Sequence, residues 1–126
     1  MRVSKFTVLH PADIVLIDFG TSTSKARVQG RHLAYVLGRE DIQARDHHLL
    51  VIPIFRTPSK QKDVDDIKIR KCDCEGLHFT QYVNASNIQK ADRHRVESLV
   101  GHVSNKRVRS EINKSILREV GDSDGE

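Results

Sequence analysis

The stretch PADIVLIDFG, residues 11–20, decides the fold, because it is apolar on both faces of a single strand. In an extended chain successive side chains alternate, so Ile14 and Leu16 lie on one face while Val15 and Ile17 lie on the other. Such a strand must be covered on both sides. It therefore predicts a position inside a small barrel or sandwich.

The chain after this strand predicts a binding edge. A polar loop, TSTSKARVQGRH (residues 21–32), leads into LAYVLG (33–38) and later LLVIPIFRTPSK (49–60). Gly30 can adopt a positive φ or let a ligand approach the backbone. It is followed by Arg31 and His32, directly before a buried-looking strand. A cation and a titratable base can be held still there.

The second half of the chain reads as strands followed by helices. QKDVDDIKIRKCDCEG (61–76) indicates one or two exposed strands, and LHFTQYV (77–83) alternates like a further strand. From residue 92 the period becomes helical: a short helix is expected from Asp92 to between 101 and 104, with apolar positions Val96, Leu99, Val100 and Val103. A second helix is expected to begin at Ser104 or Asn105 and to stop at Gly121, which leaves 121–126 as a disordered tail.

Length and composition favour one domain spanning residues 1–126. A chain of this length buries roughly two thirds of the surface that its unfolded form exposes, enough for one core. Cys72 and Cys74 are too close together for an ordinary disulfide framework, which favours a reducing compartment. The sequence offers neither a membrane-spanning run nor the apolar centre of a signal peptide. We therefore expect a cytoplasmic protein.

The positive charge is concentrated in the first half of the chain. The net charge is +4, and residues 1–60 carry nine Lys and Arg against five Asp and Glu. A cationic groove for a phosphate backbone is one interpretation. Its members would be Lys25, Arg27, Arg31, Arg56 and Lys60. A solvated basic face without a ligand is the other, since surface Lys and Arg are ordinary.

Four loosely matched motifs, in order, resemble the MazF/PemK family of toxin endoribonucleases. The family's opening strand, Gly-Asp-[Ile/Val] to Asp-Phe, corresponds to residues 12–19. Its loop Gly-x-Arg-Pro-Ala-x-Val-[Leu/Ile]-Ser corresponds to 30–38. The start of Val-x-Pro-[Leu/Ile]-Thr-Ser corresponds to 51–54. A later Ile-x-x-x-Asp-x-x-Arg-[Leu/Ile] with a following Gly is matched by Ile88, Asp92, Arg95, Val96 and Gly101. The resemblance runs roughly from residue 10 to 121.

The resemblance implies a fold and an activity. The fold is mainly β, a small Src-homology-3-like or CcdB-like barrel with one or two short helices and a C-terminal helix. The activity is endonucleolytic cleavage of single-stranded RNA without a metal or other cofactor, in which the ribose 2′-hydroxyl attacks the adjacent phosphate. A homodimer, with RNA in its groove, and a cognate antitoxin whose acidic segment occupies the same groove are also implied.

Two departures fall on the family's catalytic positions: His32 stands for the loop arginine and Phe55 for the threonine. Imidazole changes charge near neutral pH, so His32 is assigned to proton transfer. Arg31 or Arg56 is assigned to the phosphate charge, and Thr57 or Ser59 to a hydrogen bond on a phosphate oxygen. The candidate RNA-binding residues are Lys25, Arg27, Gly30, Ser59, Lys60 and Gln81.

Other interpretations stay open. His32 can be a structural histidine bonded to a backbone carbonyl. The chain can also be a catalytically silent binder of a protein partner, as CcdB is on this fold, or a nucleic-acid-binding module. Cys72, Cys74 and His78 are a poor match to a structural zinc site, so no metal is expected.

Overall fold

The strand expected over residues 11–20 lies in the middle of the sheet. The computed structural model describes residues 1–4, 7–20, 28–38, 48–58 and 66–124, and places β1 at Asp13–Asp18. On one side β1 pairs antiparallel with β2 (Arg31–Val36). On the other side it pairs antiparallel with β8 (Val96–Val103). The two neighbouring strands provide hydrogen-bond partners for the backbone N–H and C=O groups of β1. Such partners are needed because a strand that is apolar on both faces is buried away from water.

The remaining strands extend the sheet on either side of this centre. They are β3 (His48–Phe55), β4 (Ile67–Ile69), β5 (Cys74–Glu75), β6 (Gln81–Val83) and β7 (Gln89–Asp92). The order in the described part of the chain is β4-β6-β3-β2-β1-β8-β5, with β7 pairing β3. The sheet forms a nearly closed antiparallel barrel, so the predicted mainly β fold is confirmed.

Two apolar clusters cover the two faces of β1. One contains Ile14 together with Tyr35, Ile52 and residues of the C-terminal helix. The other contains Val15 and Ile17, packed with residues of β2 and β3. Burying a side chain of this size stabilises the fold by roughly 1.5–3 kcal/mol. The interpretation of PADIVLIDFG as a strand covered on both sides is therefore confirmed.

The helix expected from Asp92 to between 101 and 104 is wrong. A single 3₁₀ turn, Arg93–Arg95, leads into the eight-residue strand β8. Its pairing with β1 shifts register twice, between Ile14 and Val15 and between Leu16 and Ile17. Each such bulge adds a residue, so the two-residue alternation is lost and apolar positions fall three and four apart. That spacing imitates a helix.

Strand boundaries in the middle of the chain also differ from expectation. β4 carries buried Ile67 and Ile69, so it is not the exposed strand that its charged surroundings suggest. The strand expected over 77–83 begins only at Gln81. Residues 77–80 are irregular and lie beside the candidate site described below.

The C-terminal helix α1 (Lys106–Asp124) is as predicted at its start. The Asn105 side chain accepts hydrogen bonds from the backbone N–H groups of Arg107 (2.9 Å) and Val108 (3.3 Å). Such a cap stabilises a helix by about 1 kcal/mol. Its amide also donates to buried Asp73 (2.7 Å), which ties the helix to the barrel.

The expected stop of α1 at Gly121 is wrong, because the helix continues to Asp124. Residues 121–124 therefore belong to the helix and not to the expected tail, while 125 and 126 lie outside the described residues. None of the helices formed by the described residues combines the length and apolar character needed to cross a membrane.

Candidate active site

Four proposed catalytic residues line one cavity of about 610 Å³, where β2 begins and β3 ends. They are Arg31, His32, Arg56 and Thr57, and the proposed RNA-binding residue Gln81 lies in the same wall. His78 and Phe79, from the irregular segment before β6, complete the aromatic part of the lining. We call this space the aromatic cavity. Nucleotide-sized ligands bind in concave sites of this size.

His32 is held by two phenyl rings and one hydrogen bond. Its ring centroid lies 6.4 Å from that of Phe19 and 5.6 Å from that of Phe55. Its Nε2 lies 2.9 Å from the carbonyl oxygen of Gln29. A carbonyl oxygen only accepts, so Nε2 carries the proton and donates it. In the neutral ring Nδ1 is then the basic nitrogen.

Arg31 lies on the opposite face of β2 from His32. It is paired across the ladder with Asp18, and His32 with Ile17, so the two side chains alternate. Both line the aromatic cavity because they are the first two residues of β2. One guanidinium nitrogen of Arg31 also lies 3.0 Å from a carboxylate oxygen of Glu97 on β8. The two neighbours therefore have different surroundings.

Arg56 and Thr57 follow directly after β3 and are exposed. The Arg56 guanidinium carbon lies 3.7 Å from the centre of the Phe79 ring, a cation–π contact. At an exposed site this contact contributes about 0.5–1 kcal/mol, so it orients Arg56 without locking it. Phe79 itself is 51% exposed. One cation and one aromatic face are thus presented together at the cavity.

Gln81 lines the aromatic cavity, whereas Gly30 precedes β2 and is not among the residues that line it. Gly30 has a φ of +78° and forms backbone hydrogen bonds with Phe19 and Gly20, which close the loop before β2. Gln81 begins β6 and is buried. The other four proposed RNA-binding residues, Lys25, Arg27, Ser59 and Lys60, lie outside the described residues.

Comparison with known proteins identifies the family. The family described as PemK-like, MazF-like toxin of type II toxin-antitoxin system matches residues 10–118. The chain belongs to this family. The resemblance noted from the four sequence motifs is therefore confirmed. No curated protein matches the chain significantly.

Solved MazF structures share the fold. MazF from Deinococcus radiodurans superimposes with a TM-score of 0.73 at 16% identity, covering 91% of this chain and 98% of that one. A MazE-MazF complex from the same organism gives 0.70 at 16%, with 91% and 98% covered. An endoribonuclease in complex with its cognate antitoxin, from a mycobacterial species, gives 0.66 at 17%, with 90% and 93% covered.

The two departures from the MazF/PemK motifs contact each other. His32 and Phe55 come from neighbouring strands, and their rings meet edge to face. Edge-to-face aromatic pairs of this kind contribute roughly 0.5–1.5 kcal/mol beyond their buried area. Phe55 therefore fixes the imidazole instead of offering a hydroxyl to a ligand. Thr57, two residues later, is the hydroxyl that lines the cavity.

Sequence reasoning missed three residues at this site: His78, Phe79 and Glu97. The sequence connects His78 only with a poorly matched zinc site, and it predicts Phe79 within a regular strand. The available signal is a repeated Gly-x-His order: Gly76 and His78 are spaced as Gly30 and His32 are, and the aromatic Phe79 follows. Glu97 gave no signal, because it reaches Arg31 across β1 from a segment read as helix.

The two cysteines differ in their exposure to solvent. Among the residues that the structure describes, no three His, Cys, Asp or Glu side chains are grouped to hold a metal ion. Cys72 is exposed, whereas Cys74 is fully buried. Burial raises the pKa of the Cys74 thiol to about 11, while a backbone hydrogen bond from His102 lowers it and the Asp13 and Asp73 carboxylates raise it further.

We expect one reactive thiol in the native protein. The thiolate is the nucleophile, so at pH 8 Cys72 should react with a disulfide reagent and Cys74 should not. Spectrophotometric titration should count one thiol in buffer and two in denaturant. Replacing Cys72 by Ser should abolish the native reaction. Two thiols reacting at similar rates in buffer would contradict the buried position of Cys74.

Proposed function

We propose that the chain is a toxin endoribonuclease that cleaves single-stranded RNA without a metal. The observation that carries this proposal is the meeting of His32, Arg31, Arg56, Thr57 and Gln81 in one open cavity of a MazF/PemK-family barrel. Transesterification at phosphorus needs a base, an acid and positive charge around the transition state. The cavity offers side chains for each.

His32 is the base in this proposal. With Nε2 donating to Gln29, Nδ1 of the neutral ring takes the proton of the ribose 2′-hydroxyl. The 2′-oxygen then bonds to phosphorus, the bond to the 5′-oxygen breaks, and a 2′,3′-cyclic phosphate forms. The two flanking phenyl rings limit the imidazole to one orientation, which supplies part of the rate through positioning.

The leaving 5′-oxygen needs a proton, and His78 is the second histidine lining the cavity. We assign it this role. Arg56 neutralises the charge that builds on the oxygens of the scissile phosphate, and Thr57 donates one hydrogen bond to them, while Arg31 binds the charge of the RNA backbone beside them. Electrostatic stabilisation of this kind is commonly the largest single contribution to catalysis.

Gln81 and Phe79 suit the recognition of a base. Aromatic side chains stack on unpaired bases, and an amide hydrogen-bonds to their edges. Phe79 presents a half-exposed ring whose other partner is the Arg56 guanidinium. A base entering the aromatic cavity would thus meet a stacking surface and a buried amide in the same wall.

Partners follow from the family. Solved relatives include MazE-MazF complexes and an endoribonuclease with its cognate antitoxin. We infer that this chain likewise has a cognate antitoxin with an acidic segment, works as a homodimer, and acts on RNA in the cytoplasm. An acidic peptide and RNA suit the same cationic groove for the same Coulombic reason.

The test is RNA cleavage with a chelator present. Purified protein in EDTA should cut long unstructured RNA and leave a cyclic phosphate upstream and a free 5′-hydroxyl downstream. Downstream fragments should therefore accept label from polynucleotide kinase without prior dephosphorylation. A MazF of known activity serves as the positive control. RNA left intact while that control cleaves it would refute the proposal.

A catalytically silent binder is the second candidate, and a specific observation favours it. Phe55 stands where the family has threonine, and Arg31 is already engaged by Glu97. In a binder, growth inhibition would survive the loss of the His32 imidazole. In an enzyme, inhibition and cleavage would disappear together.

A further inference from the structure

A second cavity of about 560 Å³ adjoins the aromatic cavity. Its polar lining residues are Arg2, Arg31, His94, Glu97 and Ser98. We call it the polar cavity. Arg31 and Leu16 line both spaces, so the two cavities share a wall. A chain of nucleotides crossing that wall would pass from one cavity to the other.

The first residues of the chain bring Arg2 to this place. The backbone N–H of Val3 donates to the backbone carbonyl oxygen of Glu97, at 2.9 Å. The backbone of Met1 both donates a hydrogen bond to the backbone of Leu99 and accepts one from it. Residues 1–3 thus lie along β8 like a short extra strand, with a bridge between Arg2 and Ser98. The Arg2 side chain is exposed at the polar cavity.

The lining of the polar cavity has an excess of cationic groups. Two guanidinium groups, those of Arg2 and Arg31, face it against one carboxylate, that of Glu97. That carboxylate is only half satisfied. One oxygen lies 3.0 Å from Arg31, while Oε2 is buried and accepts no hydrogen bond from any residue that the structure describes. A buried acceptor left without a donor is unfavourable.

We propose that the polar cavity binds the phosphate of a nucleotide next to the scissile linkage, and that this phosphate replaces the Glu97 carboxylate on Arg31. The proposal rests on the endoribonuclease function proposed above and names a subsite for that substrate. Glu97 is a competing anion. It holds Arg31 in place when RNA is absent and weakens RNA binding by having to be displaced.

The exchange is favourable on physical grounds. A partly exposed pair such as Arg31 and Glu97 contributes little to stability, because water still reaches the Arg31 side and both side chains lose freedom. A phosphate offers three acceptor oxygens and pairs well with the planar guanidinium. Arg2 offers the phosphate a second cation in the same cavity, while the ion pair of Glu97 is with Arg31.

The test measures binding of a single-stranded 2′-O-methyl RNA octamer, which lacks the attacking hydroxyl and so reports binding alone. Fluorescence anisotropy over a range of salt concentrations gives the dissociation constant and its salt slope. Glu97→Gln should tighten binding roughly threefold to tenfold. Arg2→Gln should weaken it by a similar factor and reduce the salt slope by about 0.7, the loss of one phosphate contact.

Matched controls come from α1. Glu111→Gln and Arg107→Gln remove the same charges from another exposed Arg–Glu pair, with atoms 3.6 Å apart. They should change binding less than twofold. The proposal is overturned if Glu97→Gln and Arg2→Gln behave like these controls, or if the octamer does not bind at low salt. Cleavage of unmodified RNA by the same samples tests the endoribonuclease function separately.

Discussion

Replacing His32 by Ala is expected to lower kcat/KM for RNA by roughly 10²- to 10⁴-fold, the range over which a positioned acid or base contributes to a reaction. The imidazole is held by the Gln29 carbonyl and by two phenyl rings, so its basic nitrogen is already oriented. Initial rates on a fluorogenic RNA in EDTA, together with growth inhibition on expression, give the measurement.

A matched pair of variants separates chemistry from structure. His32→Gln keeps an N–H group that can donate to Gln29, but it cannot take up a proton. It should therefore lose as much activity as His32→Ala while retaining more stability. His48→Gln serves as the control. His48 is the first residue of β3, its Nε2 lies 2.9 Å from a carboxylate oxygen of Asp92 on β7, and it does not line the aromatic cavity. Its activity should be unchanged.

Substitution of His78, the proposed acid, tests the same mechanism from the other side of the reaction. If His32 and His78 act in one step, His78→Ala should cause a loss of similar size, and the double variant should lose little more than either single one. Full activity in His32→Ala would show that the histidine is only structural.

The local pattern of apolar and polar residues predicts the fold correctly where the tertiary contacts leave that pattern undisturbed. PADIVLIDFG is apolar on both faces and lies covered on both faces. Asn105 precedes a helical period and caps α1. The helix predicted over residues 96–103 is wrong, because two bulges in the pairing of this segment with β1 change the spacing of its apolar side chains. Bulges depend on the partner strand, which sequence alone does not reveal.

The site was predictable to the extent that it lies within one loop. Gly30, Arg31 and His32 are consecutive, and the turn after β3 brings Arg56 and Thr57 to the same cavity. Glu97 could not be found, because its contact with Arg31 joins residues far apart in sequence across β1. Whether Arg31 meets a phosphate or a carboxylate depends on that contact.

Replacing Gly76 by Ala is expected to produce the largest loss of stability, roughly 3 kcal/mol or more. Gly76 has a φ of +101°, and an added Cβ would lie 2.1 Å from the carbonyl oxygen of Val100. That oxygen belongs to β8, the strand that pairs with β1, so it cannot retreat without disturbing the centre of the sheet. Thermal unfolding followed by circular dichroism should show the midpoint falling by roughly 10 °C or more.

Gly101 provides an independent check, because its added Cβ would lie 2.1 Å from the carbonyl oxygen of Glu75. The same close crossing of two backbones should make Gly101→Ala comparably harmful. Gly30→Ala is the matched control. It has a similar positive φ of +78°, yet its added Cβ would meet no heavy atom of the described residues within 4 Å.

Gly30→Ala should therefore cost only the strain of a left-handed alanine, about 1–2 kcal/mol. The difference between the Gly76 and Gly30 variants isolates the clash with Val100. Equal losses in the two would mean that β5 can move away from β8 without consequence. In that case the position of Gly76 in the wall of the aromatic cavity would be adjustable, and β8 would not fix the shape of the site.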